Sequence, residues 1–406
     1  MAKAKALRPS AKDLRIVIVG GGIGGRCALR LLCRAGMSSV SLYEQASTFV
    51  DSGAGIQISP NAVRLLSRLG LADDLRAVGV RLEIGWELRR WQDGRVLSSQ
   101  TLGAKCEREF SAPYYVLHRT DLLTMLGAGS PDPTVHLGRR CVGVTETDGE
   151  ARVSFEDGSV VHADVVIGAD GVHSVVQHAL GKPPAAVFSG LAAYRCLIPA
   201  DRAPELARRP AFTAWLGPGR HLVHYPVSGG RLINVAAAVQ AGDWSGESWT
   251  ARGRVADLVA EFGGWDERLV RLISAAETTW VYALHDREPR ERWVSGRIAL
   301  LGDAAHPMLP AMAQGAAQAI EDAVVLSHCL RDVSAQTVGD ALLNYQDIRL
   351  ERATRIQQLS RRRPKQNHLP DGDEQRKRDN EFVHRDQWNE HAWIYGHDAG
   401  DWAKTA

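Results

Sequence analysis

Three clusters of glycine and acid in this chain have the residue types and spacing to hold a dinucleotide. Gly20, Gly22 and Gly25 stand in a Gly-x-Gly-x-x-Gly pattern, with Ile23 inside it and the acid Glu44 further on. Such glycines let a pyrophosphate reach a helix N-terminus, and an acid about 20 residues on holds the adenosine ribose. Asp170, followed by Gly171, ends a second apolar run, Val165 to Ile167. The third cluster, Leu301 to Asp322, combines a tight-turn glycine, Gly302, with Asp303, whose carboxylate can accept two hydroxyl hydrogen bonds from a diol. Further along, Gln314-Gly315-Ala316-Ala317 sets small residues at a helix start, where backbone N–H groups and the positive helix end can approach an anionic ring.

The elements that must position these clusters are legible on either side. Leu14 to Val19 is a β-branched run leading into the first glycines. A helix pattern through Ala28, Leu31 and Leu32 stops at Gly36, and a second strand, Val40 to Tyr43, ends at Glu44. Gly53 to Asn61 reads as a glycine loop that opens a helix over Ala62 to Leu69. Leu82 to Thr101 alternates as antiparallel strands, and the chain returns through His118-Arg119-Thr120-Asp121, where Arg119 can meet a phosphate or ring oxygen. A strand pair is expected around Val135 to Phe155. From Phe188 to about Arg297 longer alternating runs predict an antiparallel sheet inserted between pieces of the nucleotide fold, and helices resume over Ala316 to Leu330 and Ala341 to Leu359. Arg363 to Asp386 reads as a connector, and Trp393 to Gly396 as an apolar patch docked on the body. Strand ends carrying Gly or acid share one crevice in an open α/β sheet.

The fold class expected is α/β: a Rossmann-like, glutathione-reductase-type nucleotide domain with an inserted antiparallel-sheet substrate domain and a helical C-terminal region. The nucleotide domain takes residues 1–80, 111–186 and 298–362, the substrate domain 81–110 and 187–297, and a C-terminal extension 363–406. A chain of 406 residues with 45% hydrophobic residues supports two such domains. A net charge of +2 gives no concentrated basic face, so neither nucleic acid nor membrane is an expected partner. Met1 to Lys12 lacks a signal-peptide core, and no apolar run reaches about 18 residues. Cytoplasm is the expected location, as a monomer or homodimer. The six cysteines form no C-x-x-C pair, so no metal site or disulfide framework is expected.

Gly20-x-Gly22-x-x-Gly25 with Glu44, Asp170-Gly171-Val172-His173-Ser174 and Gly302-Asp303-Ala304-Ala305-His306-Pro307 occur in that order. Together they resemble the three fingerprints of the single-component, FAD-dependent aromatic hydroxylases, a group that includes salicylate, 3-hydroxybenzoate and 6-hydroxynicotinate monooxygenases. The resemblance runs from about Leu14 to Leu330. It implies that Glu44 binds the adenosine ribose of FAD, that Arg119 reaches the flavin or pyrophosphate, and that Asp303 holds the ribityl chain. The Asp170-Gly171 segment is similar to one serving both FAD and a transient NADH or NADPH. In the chemistry so implied, NAD(P)H reduces the flavin, O2 adds at C4a, and the hydroperoxide transfers oxygen to a small electron-rich aromatic ring.

A phenol attacks far better as its phenolate, so a general base is expected in the substrate pocket. His221 and Tyr225 are the candidates: at even spacing on one strand they share a face with Val223, and they resemble the subgroup's substrate-side pair. A strand histidine without a task and a core tyrosine are the alternatives. Arg195 can pair with a substrate carboxylate or form a sheet-edge salt bridge, and His224 points to the other face. Gln177 stands where the second fingerprint usually ends in Arg. Gln57 and Ala311 replace histidines of the 6-hydroxynicotinate enzymes, and Pro310 a glutamine of the 3-hydroxybenzoate 6-hydroxylases. Gln57 and Pro310 remain expected substrate contacts. By elimination the expected substrate is salicylate-like, hydroxylated with loss of CO2. The alternatives are 6-hydroxynicotinate, 3-hydroxybenzoate, a larger biosynthetic phenol or heteroaromatic, or a flavin-binding protein that does not hydroxylate.

Overall fold

A computed structural model describes residues 14–48, 54–127, 134–147, 149–242, 251–384 and 387–401. The opening segment Met1 to Lys12, Gly53 and residues 385–386 of the charged stretch lie outside these. At the centre is a six-stranded sheet in the order Val294–Ser295, Ile298–Leu300, Val165–Gly168, Ile16–Val19, Val40–Tyr43, Val135–His136. Ile16 pairs in parallel with both Val165 and Val40, and all four residues of Ile16–Val19 are buried. A parallel strand buried on both faces needs an unbroken apolar run, which these β-branched residues supply. The glycine turn, Asp170 and Gly302 follow the C-terminal ends of three adjacent strands of this sheet, as the spacing predicts.

The second large sheet has eight strands, in the order Arg252–Gly253, Thr279–Asp286, Val187–Pro199, Leu232–Gln240, Arg220–Val227, Ala211–Gly217, Gly85–Arg90, Val96–Gln100. Its neighbours are antiparallel except that Ala211–Gly217 runs parallel to Gly85–Arg90. One face packs on the helices Val255–Glu261 and Glu267–Ser274 through Leu258, Phe262, Leu269 and Ile273. The other faces the nucleotide fold and carries the candidate site.

Three segments differ from the sequence expectation. Gly55–Ile58, read as a loop, is a strand paired with Tyr115–His118, and its Gly55 N–H donates to Asn234 at 2.7 Å. Val135–His136 joins the parallel sheet beside Val40–Tyr43 rather than the hairpin formed by Cys141–Thr147 and Glu150–Phe155. The stretch read as a connector is mostly helical: a long helix, Val338–Asn367, runs through Pro364, and a second follows over Asp373–His384. An interior proline costs a helix about 3 kcal/mol. Here Pro364 lies in the last turn, and Arg378 ties that end down by donating to the Gln366 carbonyl at 2.7 Å. The final helix, Gln387–Tyr395, docks as expected, with Ile394 and Tyr395 buried beside Phe110, Tyr114 and Tyr225.

Candidate active site

The first glycine turn is close-packed where the chain must cross itself and open where a ligand must lie. Gly20 has φ +108°, and a Cβ there would sit 2.3 Å from the Ala169 carbonyl oxygen. A Cβ on Gly25 would fall 2.0 Å from the Gly20 oxygen, whereas one on Gly22 would meet nothing within 4 Å. Glu44 accepts the Gly21 N–H at 2.7 Å and the Ala46 N–H at 2.9 Å, which fixes it beside the turn. From the buried Arg26, Nε donates to the Gly21 carbonyl at 2.9 Å. This arrangement requires glycine at Gly20 and Gly25 and leaves Gly22 facing free space, as a pyrophosphate cradle needs.

A cleft runs from Gly22 and Ile23 past Arg119 to Gly302, Asp303, Gly315 and Ala316. Gly302 turns at φ +63° and places Asp303 exposed on the cleft floor. No side-chain cap closes the helix Gly315–Cys329, so its first N–H groups are free to meet an anion. Gln314, the residue before it, is held instead by hydrogen bonds with Ser59 at 2.9 Å and Asn61 at 3.2 Å. An open glycine cradle, a carboxylate on the floor and a bare helix start together fit an extended flavin dinucleotide. Asp170 plays a different part from a direct cleft contact: its carboxylate accepts the Val175 and Val176 N–H groups at 2.7 and 3.2 Å, and its neighbours Ala169 and Gly171 line the cleft.

Beneath the floor lies a buried ionic network that ties the two ends of the third cluster to the long helix. Asp322 accepts the Gly302 N–H at 3.0 Å and meets His306 Nε2 at 2.5 Å. The Arg349 guanidinium bonds Asp322 at 2.8 Å and Glu321 at 2.6 Å, and Arg352 bonds Glu321 at 2.8 Å. Burial works against both carboxylates, yet Arg349 and Arg352 hold Glu321 well below its ordinary range, while His306 and Arg349 lower Asp322. Asn61 donates to Glu321 at 2.7 Å, which links the helix Pro60–Arg68 to the same cluster.

A second cavity opens from the cleft; Gln57, Arg195, Val223, Pro310 and Ala313 border both. Position along the strand, not its alternation, divides the candidate pair between them. Tyr225 borders the cleft, Val223 stands at the junction, and His221 borders only the inner cavity. His224, on the opposite face, is buried. Burial pushes the Tyr225 hydroxyl pKa up, with Arg195 and a hydrogen bond from Gln57 acting the other way. Tyr114 donates to that same Gln57 at 2.9 Å. The Arg195 guanidinium lies 5.6 Å from the centre of the Tyr282 ring. His221 Nδ1 lies 2.6 Å from His368 Nε2, and burial, His368 and Arg363 push its pKa down to about 3.

Trp86, Tyr114, Phe212, His391 and Tyr395 form much of the inner wall, with Arg363 and Asn367 from the long helix. Sequence reasoning missed these because they come from remote segments with no shared motif. Arg195 and Arg363 border the cavity, and none of the described residues that line it is acidic. Such a site is apolar, aromatic and positively biased, suited to a flat anionic ring.

A dinucleotide cleft joined to an aromatic cavity defines a flavin-dependent oxidoreductase acting on a small ring compound. A family model described as FAD binding domain matches residues 13–360, and the chain belongs to that family, within its aromatic-ring hydroxylases. It is 42% identical over 386 residues to 3-amino-4-hydroxybenzoate 2-monooxygenase of Streptomyces platensis, covering 95% of this chain and 96% of that one. With 6-hydroxynicotinate 3-monooxygenase of Bordetella bronchiseptica it shares 36% identity over 348 residues, 85% of this chain and 90% of the other. A solved structure, a salicylate hydroxylase substrate complex, superposes with a TM-score of 0.81 at 26% identity, covering 97% of this chain and 98% of that one. The enzyme is therefore a flavoprotein monooxygenase of aromatic compounds, with FAD as cofactor and NAD(P)H and O2 as co-substrates. No helix among the described residues is long and apolar enough to cross a membrane.

Proposed function

We propose that this enzyme hydroxylates a small aromatic acid bearing an amino and a hydroxyl group, of the 3-amino-4-hydroxybenzoate type, rather than a salicylate-like acid. The observation that carries the reading is the inner cavity: aromatic walls, Arg195 and Arg363 on its lining, and no acidic side chain among the described residues that line it. The name of the relative at 42% identity supports the amino-hydroxybenzoate over the salicylate-like alternative. FAD, once bound and reduced by NAD(P)H, supplies the activated oxygen.

The chain's own residues then have separate tasks. Gly22, Asp303 and the N–H groups at Gly315 and Ala316 bind and orient the cofactor. Arg195 and Arg363 hold the substrate carboxylate and favour loss of a proton from the ring substituents. His221 takes that proton and returns it when the ring becomes aromatic again, while Tyr225, tied to Gln57, keeps the reacting carbon facing the cleft. Aromatic and aliphatic walls exclude water.

The test is anaerobic reduction of the FAD-loaded enzyme by NADH and by NADPH, with 3-amino-4-hydroxybenzoate, salicylate, 3-hydroxybenzoate or 6-hydroxynicotinate added. Strong acceleration by the amino acid derivative, followed in air by a product oxygenated beside the amino group, is expected. Acceleration by salicylate with release of catechol would restore the decarboxylative reading, and acceleration by none would sink the proposal.

A further inference from the structure

His221 is joined to a second histidine, and the join is built into the fold. His368 follows the long helix directly, and its ring lies 4.9 Å from that of His221, with Nε2 and Nδ1 2.6 Å apart. The same residue's carbonyl accepts the Gly219 N–H at 3.0 Å, at the turn that starts the His221 strand. The helix end and the strand start are thus fastened by two bonds, one backbone and one ring to ring. His221 borders the inner cavity; His368 stands behind it, half-buried, and bonds no other side chain among the described residues.

Resting on the reading of His221 as the substrate-side base, we propose that His368 is its positioning and relay residue. It holds His221 with Nδ1 protonated and Nε2 bare toward the cavity, and it passes the substrate's proton outward. The balance is closed at named atoms. The ring substituent gives its proton to His221 Nε2, the Nδ1 proton moves to His368 Nε2, and His368 releases its Nδ1 proton to water. On the return, water supplies a proton to His368 Nδ1, and the steps reverse to reprotonate the product.

Electrostatics favours passage over storage. Arg363 faces His221 from the long helix, and Arg220 faces His368 from the strand, its charge partly met by Glu261 at 2.6 Å. Burial and this positive surrounding push His368 down to about 4 and His221 to about 3. Both rings are neutral near pH 7, and neither keeps a proton for long. A lone histidine in this field would be a poor resting place for the substrate's proton, whereas a pair open to water at one end conducts it. The same field lowers the substrate's own pKa, so the proton is driven outward.

Two variants separate positioning from relay. His368→Gln keeps an oxygen that can accept the His221 Nδ1–H but cannot pass a proton on, and His368→Ala removes both. Ring 15N chemical shifts of the FAD-loaded enzyme should show His221 protonated at Nδ1 in the wild type and in His368→Gln, with that tautomer lost in His368→Ala. A His221 protonated mainly at Nε2 in the wild type, or unchanged in His368→Ala, overturns the proposal. With 3-amino-4-hydroxybenzoate as probe, both variants should slow product formation on the order of a hundredfold. FAD content should be unchanged, the pH profile altered, and His368→Ala partly rescued by added imidazole. Normal rates and pH profiles in both variants also overturn it. If the wild type itself ignores this probe, the substrate reading fails while the nitrogen shifts still decide the histidine pair.

Discussion

Replacing Arg349 with methionine tests whether the buried network beneath the cleft floor is structural. Arg349 is 1% exposed and its partners Glu321 and Asp322 are 0% exposed, so the change strips a cation from two carboxylates that water cannot reach. Removing one partner of a buried ion pair costs about 3–5 kcal/mol, since the remaining charge is left uncompensated. Arg352 stays on Glu321 and His306 on Asp322, which argues for the lower end, about 3 kcal/mol. An unfolding entropy of about 2.1 cal/mol/K per residue over 406 residues turns this into a fall in Tm of about 3–4 °C.

The pH dependence gives a sharper signature of the same loss. In the wild type both carboxyls are held below their unfolded values, so their stabilisation is present above about pH 4 and is lost as pH falls through the folded pKa values. In the variant those folded values move up. The gap between the two proteins is therefore widest near neutral pH and narrows in acid, where the carboxyls are protonated in folded and unfolded chains alike. Urea unfolding of both holoenzymes from pH 3.5 to 8 measures it. Adding Asp322→Asn to the variant should recover part of the loss at pH 7. Equal stabilities at pH 7, or a gap that grows in acid, would refute the reasoning.

Three further outcomes follow from the site. Asp303→Ala removes a floor carboxylate without cutting the Asp322 bond to Gly302, so the protein should fold normally while the FAD Kd rises on the order of tenfold, by flavin fluorescence titration. Gly20→Ala forces a Cβ against the Ala169 carbonyl at φ +108°; purified protein should lack the flavin absorbance that wild type shows, and a fully yellow variant would contradict the cradle geometry. His221→Ala should retain FAD yet lose roughly two to four orders of magnitude in hydroxylation rate, while near-normal turnover at every pH would remove His221 from the mechanism.

The sequence disclosed those parts of the site that local rules govern. Buried parallel strands demand β-branched runs and their turns demand glycine, so the cofactor crevice was readable from Leu14, Val165 and Ile298 onward. Strand parity alone separated His221, Val223 and Tyr225 from His224. Long-range effects stayed hidden. Gly55–Ile58 became a strand because Tyr115–His118 and Asn234 bind its backbone, partners far along the chain. Charge and Pro364 masked the helices after Arg363, whose ends are held by Arg378 and by the bond from Gly219. His368, Arg363 and Asn367 were overlooked as a result, since nothing local connects them to His221.

The division between cleft and inner cavity also has an evolutionary side. Three strand ends of the parallel sheet and one helix start supply much of the cofactor floor, whereas the inner cavity is lined by the eight-stranded sheet and, on one side, by helices later in the chain, through Arg363, Asn367, His391 and Tyr395. Selection can therefore recut the shape and charge of the ring-binding wall without touching the residues that hold the flavin. Grafting the segment 363–395 between relatives accordingly changes one side of the ring pocket while the sheet side and the redox chassis stay as they are.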